Sequence, residues 1–200
     1  MVKQQIDDLE EDYFNIKMPL VKKIFINRLK TAIKLASLKD DSIVLDVGCY
    51  KGYLLKMIQN LGVTNLHGID ISPAILKPLL DCDLRNADVR NIPYDDKYFD
   101  IVFVLDVLEH VTDVNKAIKE INRVLKPNAF AIMSGPTESL FYVLGRFLWK
   151  RKTKFEQHVC SVYEVEEMFP PNGFQLIEQK SLPSFPLPQL FRISKYKKIS

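Results

Sequence analysis

The chain has 200 residues, 47% of them hydrophobic and 26% charged, and a net charge of +3. This is the balance of one soluble globular domain with a substantial core, and the charge is too small to argue for a nucleic-acid partner. Cys49, Cys82 and Cys160 form no C-x-x-C pair, and His67, His110 and His158 build no metal cluster along the sequence, so neither a disulfide framework nor a metal site is expected.

In chain order, residues 1–18 read as a loosely docked lead-in. Pro19 starts a helix to Ala36, with Val21, Ile24, Phe25, Leu29, Ala32, Ile33 and Ala36 at helical spacing and Lys22, Lys23, Lys30 and Lys34 on other faces. Residues 1–36 thus form an N-terminal helical lead-in. Alternation follows: strand 43–47, helix 52–60, strand 66–70, a helix 73–80 opened by Ser72-Pro73, and a short strand 84–87. After a turn at 93–96 come a central strand 99–105, a helix 113–126 halted at Pro127, and a strand 130–134. This alternation predicts a doubly wound, Rossmann-like α/β fold: a mostly parallel seven-stranded sheet with helices on both faces.

The rhythm breaks at Gly135. Leu140, Phe141, Leu144, Phe147, Leu148 and Trp149 run into Lys150-Arg151-Lys152 and Lys154. Residues 135–160 are an insert, either a lid over a substrate or a patch resting on a membrane surface. The lid is favoured, because long excursions at the active edge of a sheet are usually functional. A helix at 162–169 and a turn at 170–173 lead to strands 174–180 and 189–198, expected to be antiparallel to each other. All 200 residues read as one domain. No apolar run approaches membrane-spanning length, and a reducing, cytoplasmic setting is expected.

Chemistry concentrates at residues 44–52. A buried strand ends in Asp46 and Val47, turns through Gly48 and Gly52, and feeds a helix. Glycines there let backbone approach a ligand at the carboxyl edge of a sheet. Asp70 closes the next strand about 20 residues on, where a Rossmann-type fold places its ribose-binding carboxylate. Position 50 and position 53 are both tyrosine, so the G-x-G-x-x-G turn for a dinucleotide pyrophosphate is missing. Asp46 would repel a pyrophosphate and attract a cationic ligand.

Residues 44–52, Gly68–Ser72, Ala87-Asp88-Val89, Tyr98–Val102 with Leu108–Val111, and Arg123–Pro127 together resemble the motifs of class I S-adenosylmethionine-dependent methyltransferases. The resemblance is greatest to the small-molecule group related to ubiquinone-biosynthesis methyltransferases. It covers about residues 40–135, with a weaker echo from His158 to Phe174. It implies that Asp46, Gly48, Cys49 and Gly52 line the methionine end of S-adenosylmethionine and that Asp70 accepts from the ribose hydroxyls. It further implies that Ile71 packs on the adenine, that Asp88 and Val89 meet the adenine edge, and that Leu105 offers backbone near the methionine amine. Two departures stand out: Tyr50 replaces the middle glycine of the usual turn, so its side chain must point away, and Asn128-Ala129 replaces Gly-Gly. Asparagine tolerates the left-handed conformation needed there.

Methyl transfer from a sulfonium depends mainly on positioning, with a base useful for a hydroxyl or protonated amine. His158, after the insert, is the first candidate for that role; His110, after the central strand, is the second, with a purely structural reading equally open. His67 is read as structural. The expected activity is methyl transfer to a small or lipid-like acceptor, with no nucleic-acid partner, no metal and at most weak peripheral membrane contact. The alternatives are a non-catalytic S-adenosylmethionine-binding module and a protein or nucleic-acid methyltransferase.

Overall fold

Four consecutive buried residues, Val44–Val47, form β1, and a strand buried on both faces belongs in the middle of a parallel sheet. The computed structural model describes residues 19–72, 80, 82–137, 139, 158–183 and 188–199, with the side chains from residue 22 onward. Its elements are α1 (Pro19–Ala36), β1, α2 (Tyr53–Gln59), β2 (Leu66–Asp70), β3 (Asp83–Asn86) and β4 (Phe99–Leu105). They continue with α3 (Val114–Val124), β5 (Leu125–Pro136), α4 (Val162–Met168), β6 (Phe174–Leu182) and β7 (Phe191–Lys198), with short 3-10 turns at Leu108–His110 and Pro170–Asn172.

One seven-stranded sheet runs in the order β3-β2-β1-β4-β5-β7-β6. The pairs from β3 to β5 are parallel, while β7 is antiparallel to both β5 and β6. The chain winds outward through β1, β2 and β3, then restarts at β4 on the other side of β1. That reversal leaves a crevice above the carboxyl ends of β1 and β4, the usual ligand position in such sheets. Both faces are covered. Val114, Ala117, Ile118, Ile121 and Val124 of α3 pack on one side, and Leu29, Ala32, Leu35 and Ala36 of α1 with Leu54, Leu55 and Ile58 of α2 pack on the other.

The doubly wound sheet, its seven strands and the antiparallel ending agree with the sequence. The predicted helix 113–126 does not: α3 ends at Val124, and β5 starts at Leu125, opposite Phe99. Pro127 disfavours helical geometry at Lys126. The last helical carbonyls are then taken by the turn that leads into β4, with Lys97 N donating to Arg123 O at 2.9 Å and Tyr98 N to Val124 O at 2.8 Å. Asn128 has φ 64, the left-handed conformation that its type tolerates. Strand β5 also runs on past residue 134 to Pro136. The predicted helix 73–80 and the apolar and basic residues 140–154 of the insert lie outside the described residues, apart from Leu80. Among the described residues, no helix is long and apolar enough to cross a membrane.

Candidate active site

A cavity of about 580 Å³ opens at the reversal, lined among others by Gly48, Asp70, Ile71, Asp88, Val89 and His110. Gly48 sits at φ 77, and a Cβ there would stand 2.3 Å from Val107 Cγ2. Only glycine lets the turn after β1 pass this wall. Asp70, the last residue of β2, has its carboxylate oriented by two backbone donors: Tyr50 N to Oδ2 and Ser72 N to Oδ1, both at 2.7 Å. Each oxygen keeps acceptor capacity for a hydroxyl. Tyr50 (φ 48) thus contributes its amide, while its ring, 39% exposed, stacks on Tyr53 and lies outside the cavity lining. Ile71 is 75% exposed at the cavity, an apolar surface suited to an aromatic ring.

Asp88 is held by Arg90 through Nη2 at 2.6 Å and Nε at 3.0 Å, and the same guanidinium donates to Thr112 Oγ1 at 3.1 Å. The hydrogen bonds from Arg90 hold the Asp88 carboxyl below its usual range despite some opposing burial. Within β1, burial pushes the Asp46 carboxyl well above the ordinary carboxylate range, with the Asp70 charge acting in the same direction. Burial also pushes the Cys49 thiol up, helped by Asp46 and Asp70, which leaves it inert.

Residues 45–133 match the family model described as a methyltransferase domain. The 2-phytyl-1,4-naphtoquinone methyltransferase of Nostoc punctiforme is 31% identical over 112 residues, 50% of this chain and 49% of that protein. The demethylmenaquinone methyltransferase of Staphylococcus carnosus is 28% identical over 182 residues, 76% of each chain. A solved S-adenosylmethionine-dependent methyltransferase of Methanosarcina mazei superposes with TM-score 0.68 at 20% identity, covering 84% of this chain and 97% of that one. Residues 45–133 carry a methyltransferase domain, on the fold of S-adenosylmethionine-dependent methyltransferases. It spans about half the length of the Nostoc relative, as the 49% coverage shows.

In this methyltransferase domain, Gly48, Asp70, Ile71, Asp88, Val89 and His110 share the cavity. Asp46, Cys49, Gly52 and Leu105, expected at the methionine end, do not line it. Gly52 serves packing: at φ 87 it turns the chain into α2, and a Cβ would meet Leu80 Cδ2 at 2.5 Å. Leu105 yields its place to Asp106 and Val107, which do line the cavity. Asp106 (φ 55) accepts from Ser134 Oγ at 3.1 Å and pairs with Arg28 of α1. Arg90, Asp106, Val107 and Thr112 were not legible as site residues in the sequence; the acid directly after a buried strand was the available signal for Asp106.

The histidines correct the expectation that they form no cluster. The rings of His110 and His158 meet edge to face, 4.9 Å between centroids, beside Glu109. Val159 N donates to Glu109 O at 2.7 Å, and Cys160 Sγ contacts Leu108 O at 3.9 Å, so the segment after the insert is stitched to the turn after β4. His67 is structural, as expected: it faces Asp83 and Asn65, far along β2 from the carboxyl edge, with Tyr94, Tyr98 and Phe99 around its ring.

Proposed function

We propose that the chain transfers a methyl group from S-adenosylmethionine to a small, quinone-like acceptor, with His158 and His110 at the acceptor end. One observation carries the reading: a single cavity gathers the Asp70 carboxylate, the exposed Ile71, Asp88 and His110, with the His158 ring against His110. When bound, S-adenosylmethionine supplies a sulfonium-activated methyl group. Asp70 receives the ribose hydroxyls, Ile71 covers one adenine face, and Asp88 with Val89 meets the adenine edge. Asp46, placed behind the Gly48 turn, offers negative charge toward a cationic ligand. Apart from Arg90, Asp106 and Thr112, the remaining wall is apolar, with Val47, Ile69, Val107 and Val111. It suits an uncharged, ring-bearing acceptor better than a phosphate backbone.

His158 and His110 orient the acceptor and offer a nitrogen to its departing proton. The quinone-type substrates named for the Nostoc and Staphylococcus relatives support this class of acceptor. Cys49, Cys82 and Cys160 are thiols outside any disulfide, which supports a reducing compartment such as the cytoplasm. For residues 135–160 we retain the lid, which the site at their carboxyl-terminal end favours.

The test is methyl transfer from labelled S-adenosylmethionine to a demethylated naphthoquinol, to tRNA and to protein, measured side by side. Label is expected in the quinol fraction. Label in tRNA or protein instead would overturn the acceptor class, and cofactor binding with no transfer to any acceptor would leave a binding module. A His158→Ala variant is expected to bind S-adenosylmethionine normally while turnover falls roughly 10²–10⁴-fold if it takes the proton.

A further inference from the structure

Glu109, His110 and His158 each offer a ligand atom, and these atoms lie within 4.8 Å of one another. We propose that these three side chains form a divalent transition-metal site at the rim of the cavity. The inference rests on the methyl-transfer reading and says how its acceptor end works.

Ligand chemistry is the first argument. Two imidazoles and one carboxylate suit zinc, cobalt(II), nickel or iron(II); magnesium and calcium prefer oxygen alone. A metal bonds nitrogen and oxygen ligands at about 2.0–2.2 Å, so three ligand atoms on one tetrahedral ion stand roughly 3.3–3.6 Å apart. Atoms within 4.8 Å of one another therefore need to draw together by up to about 1.5 Å to reach that spacing, a movement that side-chain rotation of the two imidazoles and the carboxylate supplies. The two imidazoles already meet edge to face.

The backbone frame is the second argument. Glu109 and His110 are consecutive in the 3-10 turn Leu108–His110, directly after β4 and Asp106. The 2.7 Å bond from Val159 N to Glu109 O fixes the stretch of chain that carries His158 against that turn. Glu109 is 3% exposed, so its carboxylate is turned inward beside the two imidazoles instead of out into water. Three protein ligands leave one or more coordination positions open, as catalytic rather than structural sites do. His110 belongs to the cavity wall together with Asp70 and Ile71, so an open position there faces the methyl acceptor.

The consequence for chemistry follows. A cation held by these groups binds an acceptor hydroxyl through oxygen and lowers its pKa, producing the nucleophilic oxyanion beside the methyl donor. The O–H bond breaks and its proton leaves to water; the electron density of the oxyanion, delivered at the neighbouring ring carbon, forms the C–CH₃ bond as the C–S bond breaks, and that carbon then loses its hydrogen as a proton to water as the ring regains aromaticity. In that arrangement both histidines act as neutral ligands, and the cation does the work otherwise assigned to a base.

Titration of the metal-stripped full chain with cobalt(II), read by its visible absorption and by zinc competition, tests the site with no acceptor present. One cobalt per chain is expected, with affinity reduced about tenfold or more in His110→Ala and in His158→Ala. His67→Gln is expected to bind cobalt as the unchanged chain does. Glu109→Gln should also weaken binding; if that buried change prevents folding, the two histidine variants still decide. Absence of saturable binding up to millimolar cobalt would overturn the site, as would affinity left unchanged in both histidine variants. S-adenosylmethionine affinity, measured in the same samples, reports the underlying methyl-transfer reading separately.

Discussion

Asp46 shows how one residue trades stability for a ligand. Its folded pKa is raised by burial and by Asp70, so the charged form is disfavoured in the empty fold. A raised folded pKa contributes stability below the unfolded value of 3.8 and loses it as pH rises through the folded value. At neutral pH, Asp46 therefore opposes folding. Asp46→Asn should melt higher than the unchanged chain at pH 7, with the gap shrinking toward pH 4, and should bind S-adenosylmethionine more weakly. Equal melting temperatures at pH 7 would show that the carboxylate is satisfied. Asp70→Ala loses a carboxylate already aimed by Tyr50 N and Ser72 N, and calorimetry should show a loss of about 1.5–3 kcal/mol in cofactor binding. Gly48→Ala meets both a φ of 77 and the Val107 side chain. The left-handed cost is about 1–2 kcal/mol and the overpacking about 1–3 kcal/mol. Adding Val107→Ala should recover only the second part, as denaturant midpoints of the single and double variants would reveal.

At the scale of elements, the strap formed by Arg90 joins the turn after β3 to the turn after β4. It links Asp88 to Thr112 across the expected adenine end of the cavity. The pair is exposed enough that its own contribution to stability is small. Arg90→Ala should therefore leave the melting temperature almost unchanged while raising KM for S-adenosylmethionine about five- to tenfold through lost orientation of Asp88. The conservative change Arg90→Lys should rescue little, because a lysine cannot hold one carboxylate through two planar donors. A fall in kcat without a change in KM would contradict this positioning role. The strap also marks the limit of sequence reading. Strands β1, β2 and β4 were legible as buried apolar runs, and Asp70 followed from the end of β2, whereas Ile71 and Asp88 were placed only by the resemblance to methyltransferase motifs. Arg90 and Thr112 meet only because two turns from separate crossovers converge. His110 and His158 are likewise brought together by the stitch from Val159 N to Glu109 O, which no local pattern encodes. The boundary between α3 and β5 was misplaced for a different reason: helical periodicity in Val124 and Leu125 continued past the point where strand pairing to Phe99 won.

Over the whole molecule, Arg28 ties three distant parts of the chain together. It lies on α1, is 3% exposed, and packs against both Phe25 and Phe191, 5.1 and 4.9 Å from the centroids of rings that themselves meet edge to face. Its guanidinium pairs with Asp106 at the end of β4, on the cavity wall. The N-terminal helix, the last strand and the active edge thus share one charged centre, so α1 is part of the fold and not a loose appendage. Removing one member of a buried pair leaves the other charge uncompensated, at a cost of about 3–5 kcal/mol. For a domain of this size, Arg28→Ala should lower the melting temperature by roughly 6–20 °C. Arg28→Met with Asp106→Asn removes both charges and keeps an apolar stem against the two rings, so most of that loss should return. Its cofactor site would still lack the Asp106 charge. If the single variant melts within about 2 °C of the unchanged chain, equivalent to under ~1 kcal/mol, the pair is open to water and α1 docks through its apolar face alone.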